Sequence, residues 1–171
     1  MITQATGILS EDGALRFHRR FGAPLDEVWA WITDPDQSAK WIGRWTGDPS
    51  TGSLHLHVDT EAARGTQDLV IETCAPPREL VVRLETWQVG LTLSHGNSVT
   101  TVELAQGIDD ADDAEQVGPV WDYYLDRLTA ATSHGDLEGM SFDDYRRLAR
   151  HYRKMYKRQK PIRQPSTMPR T

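Results

Sequence analysis

The sequence predicts an α+β fold in which a curved antiparallel sheet packs against one long helix. Three patterns support this class: an early strand followed at once by a short helix, a run of alternating segments in the middle, and a long amphipathic segment at 117–131. Alternation of apolar and polar residues with a period of two is typical of strands with one face on a core, whereas a period near 3.6 is typical of helices. The order of these elements predicts one sheet that is covered by the late helix.

The first strand is predicted at Ala14–Phe21, where Leu15, Phe17 and Arg19 share one face. The stretch from Phe21 to Trp45 follows and holds four of the six tryptophans. Its proline turn ends the strand, and a short amphipathic helix begins near Leu25. This stretch is predicted to cover a pocket.

The middle of the chain predicts a meander of antiparallel strands, because alternating segments are separated by proline, glycine and asparagine turns. Together with the first strand they make a sheet of about six strands. The predicted strands are Ser53–Asp59, Gln67–Ala75, Glu79–Gln88, Gly90–Ser94 and Ser98–Gln106.

The long helix near the end of this run has one apolar stripe, from which Asp122 and Asp126 are excluded. A single helix over a curved antiparallel sheet is the helix-grip arrangement, which leaves room for a ligand between helix and sheet. The stripe consists of Val117, Val120, Trp121, Tyr124, Leu125, Leu128 and Ala131.

Charge divides the chain unevenly. Residues 1–135 carry 9 Lys and Arg against 21 Asp and Glu, whereas residues 136–171 carry 10 against 4, within a total of −6. We therefore predict a main domain at 1–135, a basic amphipathic extension at 136–160 and a disordered, proline-rich tail at 161–171. The acidic main domain argues against nucleic acid as its partner, because binding phosphates requires a basic face.

The extension is predicted to form one helix at Phe142–Gln159, preceded by a capping sequence at Ser141. Its aromatic stripe favours packing on the acidic main domain or on a second subunit. If it does not pack there, a basic amphipathic helix suits an anionic surface. The predicted partners are thus a hydrophobic small molecule and, through this helix, another protein or a second copy.

The single cysteine, Cys74, excludes an intramolecular disulfide and suits a reducing cytoplasm. Neither an export signal nor a membrane-spanning segment is predicted. The expected localisation is therefore cytoplasmic.

Several motifs resemble the SRPBCC superfamily, whose members have the START/Bet v 1-like helix-grip fold, and within it the branch similar to the activator of the heat-shock-protein-90 ATPase. The resemblance covers roughly residues 13–133, but the hairpin HGNSVTTVELAQGI departs from the family pattern. It implies this fold and, through the name of the branch, a co-chaperone-like interaction as one function. The matching residues are Phe21, Ala23, Pro24, Val28, Trp29, Thr33, Asp34, Pro35 and Trp41, then Pro76, Pro77, Leu80 and Trp87, and finally Gly118, Trp121, Leu125 and Leu128.

The leading hypothesis is non-enzymatic binding of a hydrophobic or aromatic molecule in a cavity between sheet and helix. Six tryptophans favour a partly open cavity, because a buried indole N–H needs a partner. The predicted lining is Phe17, Trp41, Trp45, Leu54, Leu56, Val58, Trp87, Leu93, Trp121 and Tyr124, with Glu72 and Arg83 as polar members.

A second alternative is an enzyme like a polyketide cyclase or lyase, in which Glu72, Arg83 or Glu103 would act within the cavity. An exposed cross-strand ladder explains these residues more economically. The sequence shows no catalytic triad, phosphate loop or metal-ligand motif, so catalytic residues, cofactor and metal are each predicted to be none. His55 and His57 share a strand face but are expected to be ordinary surface residues.

Overall fold

The computed structural model of the protein describes residues 3–159. In that range the strands form one antiparallel sheet of eight, rather than about six, in the order β1-β2-β8-β7-β6-β5-β4-β3. The tail predicted at 161–171 lies outside the described residues. The strands are β1 Ile8–Leu9, β2 Ala14–Phe21, β3 Arg44–Asp48, β4 Ser53–Asp59, β5 Arg64–Ala75, β6 Glu79–Leu84, β7 Trp87–Gly96 and β8 Val99–Gly107.

The two additional strands are the two edges of the sheet. Strand β1 has two residues, and β3 has the sequence RWTGD, with no apolar alternation to reveal it. The prediction also misplaced the turn between β6 and β7, which falls at Glu85 and Thr86 rather than near Val89. Glu85 has a φ of 51°, a conformation that usually selects glycine or asparagine, so the sequence lacked the usual turn signal.

Five helices complete the described part of the chain: α1 Leu25–Thr33, α2 Pro35–Ser38, α3 Ala111–Thr132, α4 Phe142–Arg146 and α5 Ala149–Arg158. A short 3₁₀ turn lies at Pro49–Thr51. The Asp34 carboxylate accepts hydrogen bonds from the amides of Asp36 and Gln37, and the Asp110 carboxylate accepts from the amide of Asp113. These caps begin α2 and α3, as the Asx positions favour.

The predicted single helix Phe142–Gln159 is wrong, because the segment breaks into α4 and α5 at Arg147 and Leu148. Ser141 makes no capping hydrogen bond with its side chain. The break allows Tyr145, in the last turn of α4, and Tyr152, in α5, both to face α3.

One face of the sheet carries the core. In the central strands, Phe17 of β2 lies opposite Leu104 of β8, which lies opposite Leu91 of β7 and then Leu80 of β6. We call this the inner face. Helix α3 lies on it and approaches β2 most closely.

Helices α4 and α5 pack on the side of α3 that is turned away from the middle of the sheet. Tyr152 is completely buried, and Phe142, Tyr145 and Tyr156 are 6–8% exposed. Gly118 of α3 makes this packing close, since a Cβ atom there would lie 2.2 Å from the Tyr152 ring. The aromatic stripe of the extension is therefore part of the core.

No helix in the described range is long and apolar enough to cross a membrane.

Candidate functional site

The inner face of β5, β6 and the start of β7 is apolar but incompletely covered. Its side chains are half-buried, whereas those of β2 and β8 on the same face are almost fully buried. We call this region the inner-face groove, and it comprises Leu69, Leu80, Val82, Leu84 and Trp87 of the sheet with Trp121 of α3.

The position of α3 explains the difference in cover. The helix lies nearest β2, so Phe17 and Leu104 are under it, while β5 and β6 lie farther along the sheet. Strand pairing nevertheless keeps the apolar side chains of β5 and β6 on the inner face. Val82 of β6 lies opposite Val89 of β7 on one side and Ile71 of β5 on the other. The result is a half-exposed apolar surface beside a helix, and apolar and aromatic side chains of this kind predominate in the lining of small-ligand sites.

Two polar contacts lie beside the groove. The Trp121 indole Nε1 donates a hydrogen bond to Gln106 Oε1 at 2.6 Å. The Tyr124 hydroxyl lies 2.8 Å from Thr60 Oγ1, and burial raises the pKa of this tyrosine, which keeps it neutral. The Trp121 and Tyr124 rings lie 6.0 Å apart, so α3 presents an aromatic pair with neutral hydrogen-bonding partners.

Most of the predicted lining residues lie on the inner face, but many of them are buried in the hydrophobic core. Phe17, Trp41, Leu54, Leu56, Val58, Leu93 and Tyr124 are each at most 8% exposed. Trp45, Trp87 and Trp121 remain half-buried. Of these three, Trp87 and Trp121 border the groove, whereas Trp45 lies beside Leu56 on the edge strand β3.

The indole N–H groups of three tryptophans do not require an open cavity. Trp41 Nε1 donates to the Trp31 carbonyl and Trp45 Nε1 to the Thr33 carbonyl, each at 2.9 Å, in addition to the contact of Trp121. Protein groups thus satisfy these N–H donors, and no buried side-chain nitrogen or oxygen in the described range lacks a partner.

Glu72 and Arg83 do not line the inner face. Arg83 alternates with the inward Val82 and Leu84, and its guanidinium Nε donates to Glu72 Oε1 at 2.8 Å on the outer face. Gln88 also donates to Glu72, and these hydrogen bonds from Gln88 and Arg83 lower the pKa of the carboxyl group. A lowered pKa is opposite to what a buried base would need.

Glu103, the other acidic candidate, also lies on the outer face. Its carboxylate accepts from Arg16 at 2.5 Å and lies 2.7 Å from His18 Nε2. The polar constellation proposed for a cyclase or lyase is therefore a set of surface contacts on the far side of the sheet.

The predicted lining did not include Leu69, Leu80, Val82 or Leu84. The sequence contained the information for the last three, because Leu80, Val82 and Leu84 alternate along ELVVRL and so share one strand face. Arg83 falls between them on the opposite face. Strand β5 gave no such signal, since a bulge between Ile71 and Thr73 interrupts its alternation at Glu72. Cys74 is exposed at the end of this strand.

Two concavities accompany these surfaces. The larger, about 510 Å³, lies between the β4–β5 turn at Thr60–Arg64 and the residues Ser141–Asp143 and Arg146. The smaller, about 290 Å³, lies on the outer face around His18 and Glu103. Leu93 is the only predicted lining residue in either of them. Thr60, at the rim of the larger concavity, is the hydrogen-bond partner of Tyr124 in α3.

A buried polar network joins α3 to both ends of the described chain. Asp122 is fully buried and accepts hydrogen bonds from the Thr6 amide and hydroxyl, the Tyr152 hydroxyl and the Arg19 guanidinium. Burial raises the pKa of the Asp122 carboxyl, and burial together with the Asp122 charge raises that of Tyr152. Each member has partners inside the network, which indicates a structural role.

Metal ligation finds no support among residues 3–159, where no group of three or more His, Cys, Asp or Glu side chains could hold an ion. His55 lies 2.7 Å from Asp68, and His57 bonds the hydroxyls of Thr46 and Thr66. Both histidines are exposed.

The curved antiparallel sheet and the long helix over its inner face define a helix-grip protein of the SRPBCC superfamily, as the sequence resemblance predicted. The chain belongs to the family described as Activator of Hsp90 ATPase homolog 1-like protein, whose model matches residues 22–133. The extension at α4 and α5 lies beyond the matched range.

Solved structures agree with this assignment. The crystal structure of CalU16 from Micromonospora echinospora is 25% identical with a TM-score of 0.66, and the match covers 90% of this chain and 93% of that one. DynU16, a protein from the dynemicin biosynthetic locus, is 27% identical with a TM-score of 0.63 over 71% of this chain and 48% of that one. The BPP1335 product of Bordetella parapertussis, at 19% identity and a TM-score of 0.66, shares the fold. None of the functionally curated proteins matches the chain.

Proposed function

We propose that the protein binds a neutral hydrophobic or aromatic small molecule in the inner-face groove, without catalysing a reaction. The observation that carries this proposal is the half-buried apolar surface of β5–β7 beside Trp121. Members of this fold bind small molecules, which supports the same function. A ligand that covers these side chains would gain free energy of about 25 cal/mol for each Å² of apolar surface removed from water.

The polar groups near the groove favour an uncharged ligand. The Gln106 amide and the Tyr124 hydroxyl are neutral, and the Arg19 guanidinium on the inner face pairs with Asp122 and Asp126. A charged ligand would lose its hydration without gaining an opposite charge. The acidic candidates for catalysis, Glu72 and Glu103, face away, which supports binding over chemistry.

The test is intrinsic tryptophan fluorescence during titration with a panel of aromatic and lipid-like metabolites, because Trp87 and Trp121 border the groove. We expect a saturable change with some members of the panel. Val82→Glu, which places a charge on the inner face, should abolish it.

The matched control is Val81→Glu. Val81 is the adjacent residue on the same strand, is also half-buried, and has its side chain on the outer face. Binding should persist in this variant. Equal loss in both variants, or a folded wild-type protein that responds to no compound, would refute the proposal and favour the co-chaperone-like interaction as the function.

A further inference from the structure

We propose that the protein binds a second copy of itself through the adjoining surfaces of α5 and the N-terminal end of α3, forming a two-fold dimer held by charge.

The first half of this surface is the exposed side of α5, which we call the basic stripe. Helix α5 contains no acidic residue, and Arg150, Lys154, Lys157 and Arg158 are exposed, with no acidic partner among residues 3–159. Pairs of like charge four residues apart, such as Arg150 with Lys154, destabilise a helix. An acidic surface from outside would relieve this repulsion.

The second half is the acidic strip at Asp109–Glu115, which contains five carboxylates. The sequence has no lysine or arginine from Gly107 to Asp126. The strip lies directly beside α5, since Arg153 Nη1 contacts Glu115 Oε2 at 3.0 Å and the Tyr156 hydroxyl donates to the Asp109 carbonyl at 2.8 Å. Within the described chain, Arg153 is the one cation of α5 that pairs across this boundary.

Adjacent strips of opposite charge are self-complementary under a two-fold rotation. An axis that passes between them places the basic stripe of each copy on the acidic strip of the other, so that one contact is made twice. This geometry closes and produces a dimer rather than a filament.

Other anionic partners fit this surface less well. The apolar side of α5 is buried on α3, with Tyr152 at 0% and Tyr156 at 6% exposure, so the helix has no free apolar face to insert into a bilayer. The acidic strip would also lie within a Debye length, about 8 Å in physiological salt, of a membrane or a nucleic acid on the basic stripe. A partner with both charges avoids that repulsion.

The experiment is sedimentation velocity on the full chain at about 0.01 M and about 1 M salt, where the Debye lengths are about 30 Å and about 3 Å. We expect a concentration-dependent dimer at low salt and a monomer at high salt. Two double variants reverse each strip: Arg150→Glu with Lys154→Glu, and Asp112→Lys with Glu115→Lys. Each alone should be monomeric at low salt, since like charges then face each other.

Mixing the two variants gives the sharpest result. In the mixed dimer both contacts become complementary again, so an equimolar mixture should recover the dimer that neither variant forms. The control is Lys40→Glu with Arg78→Glu, which makes the same change in net charge as Arg150→Glu with Lys154→Glu, but on exposed sites elsewhere, and should leave the dimer intact.

Circular dichroism establishes that each variant is folded. A wild-type monomer at low salt, dissociation of the control to the same degree, or a mixture that stays monomeric would each overturn the proposal. Association of the wild type with duplex DNA or with anionic vesicles in place of itself would also overturn it.

Discussion

Helix α3 meets the rest of the protein on two sides, and these differ in how fully their groups are satisfied. Towards the extension, Asp122 is surrounded by hydrogen-bond donors and Gly118 allows direct contact with Tyr152. Towards the middle of the sheet, Trp121 borders an apolar surface that remains half-exposed. A complete set of partners indicates structure, whereas an incomplete apolar contact leaves surface for a ligand. The difference assigns stability to one side of the helix and binding to the other.

Removing the extension should have the largest effect. Truncation after Gly139 would expose Tyr123, whose ring lies 5.1 Å from that of Phe142 and 5.4 Å from that of Tyr145. The free energy lost with four buried aromatic side chains, about 1.5 kcal/mol or more for each, approaches the whole free energy of unfolding of a domain. We expect an unfolded or aggregated product by circular dichroism. Truncation after Gln159, which keeps these contacts, is the control, and a folded protein ending at Gly139 would contradict the assignment.

Asp122→Ala should destabilise the protein by about 3 kcal/mol, because it leaves the Arg19 guanidinium and the Tyr152 hydroxyl without a buried acceptor. Urea unfolding measures this change. Asp126→Asn is the control one turn later, since Asp126 also bonds Arg19 but is 37% exposed, and the amide oxygen can still accept from the Tyr145 hydroxyl. Its cost should be smaller, about 1 kcal/mol. Equal costs would show that burial of the network is not what matters.

Gly118→Ala tests the close contact between α3 and α5. The new methyl group would lie 2.2 Å from the Tyr152 ring, and we expect a loss of about 2 kcal/mol in the free energy of unfolding. Gly22→Ala adds the same methyl group where no atom lies within 4 Å, and should change stability by less than about 0.5 kcal/mol. If Gly118→Ala were neutral, the interface would be looser than the structure indicates.

The pH dependence of stability should show the smallest effect. Burial raises the pKa of Asp122 in the folded protein, so its contribution is complete below the unfolded value, about 3.9, and is lost as the pH rises through the folded pKa. The free energy of unfolding of the wild type relative to Asp122→Asn should therefore fall between about pH 4 and neutrality. A relative stability that rises over this range would mean that Arg19 and the hydroxyl donors outweigh burial.

The sequence predicted the fold well because periodicity and turn residues define most elements locally. It could not reveal β3, whose five residues show no alternation, or the turn at Glu85, which lacks a glycine. Nor could it predict that Asp122 is buried. The polar side of an amphipathic helix usually faces water, but α3 is packed on two sides, so the side that carries Asp122 is covered as well. Gly118 and Pro119, four and three residues earlier on α3, were the only local hint of close packing there.

The candidate site was less predictable, because it depends on how far each strand lies from α3. The alternation of apolar residues in β6 was enough to exclude Arg83 from the inner face. The bulge at Glu72 could not be recognised from the alternation of β5. Which inward side chains are core and which are open is a property of the position of the helix. Phe17 and Val82 look alike in the sequence, yet one is fully buried and the other is half-exposed.

The most direct test of the two-sided account is a methyl NMR titration of Leu- and Val-labelled protein with each compound of the fluorescence panel. We predict that the best binder shifts the methyl resonances of Leu69, Leu80, Val82 and Leu84 and leaves those of Leu148, which lies between α4 and α5 in the extension, almost unchanged. Shifts centred on Leu148, or no shift with any compound, would contradict the assignment of binding to the sheet side of α3.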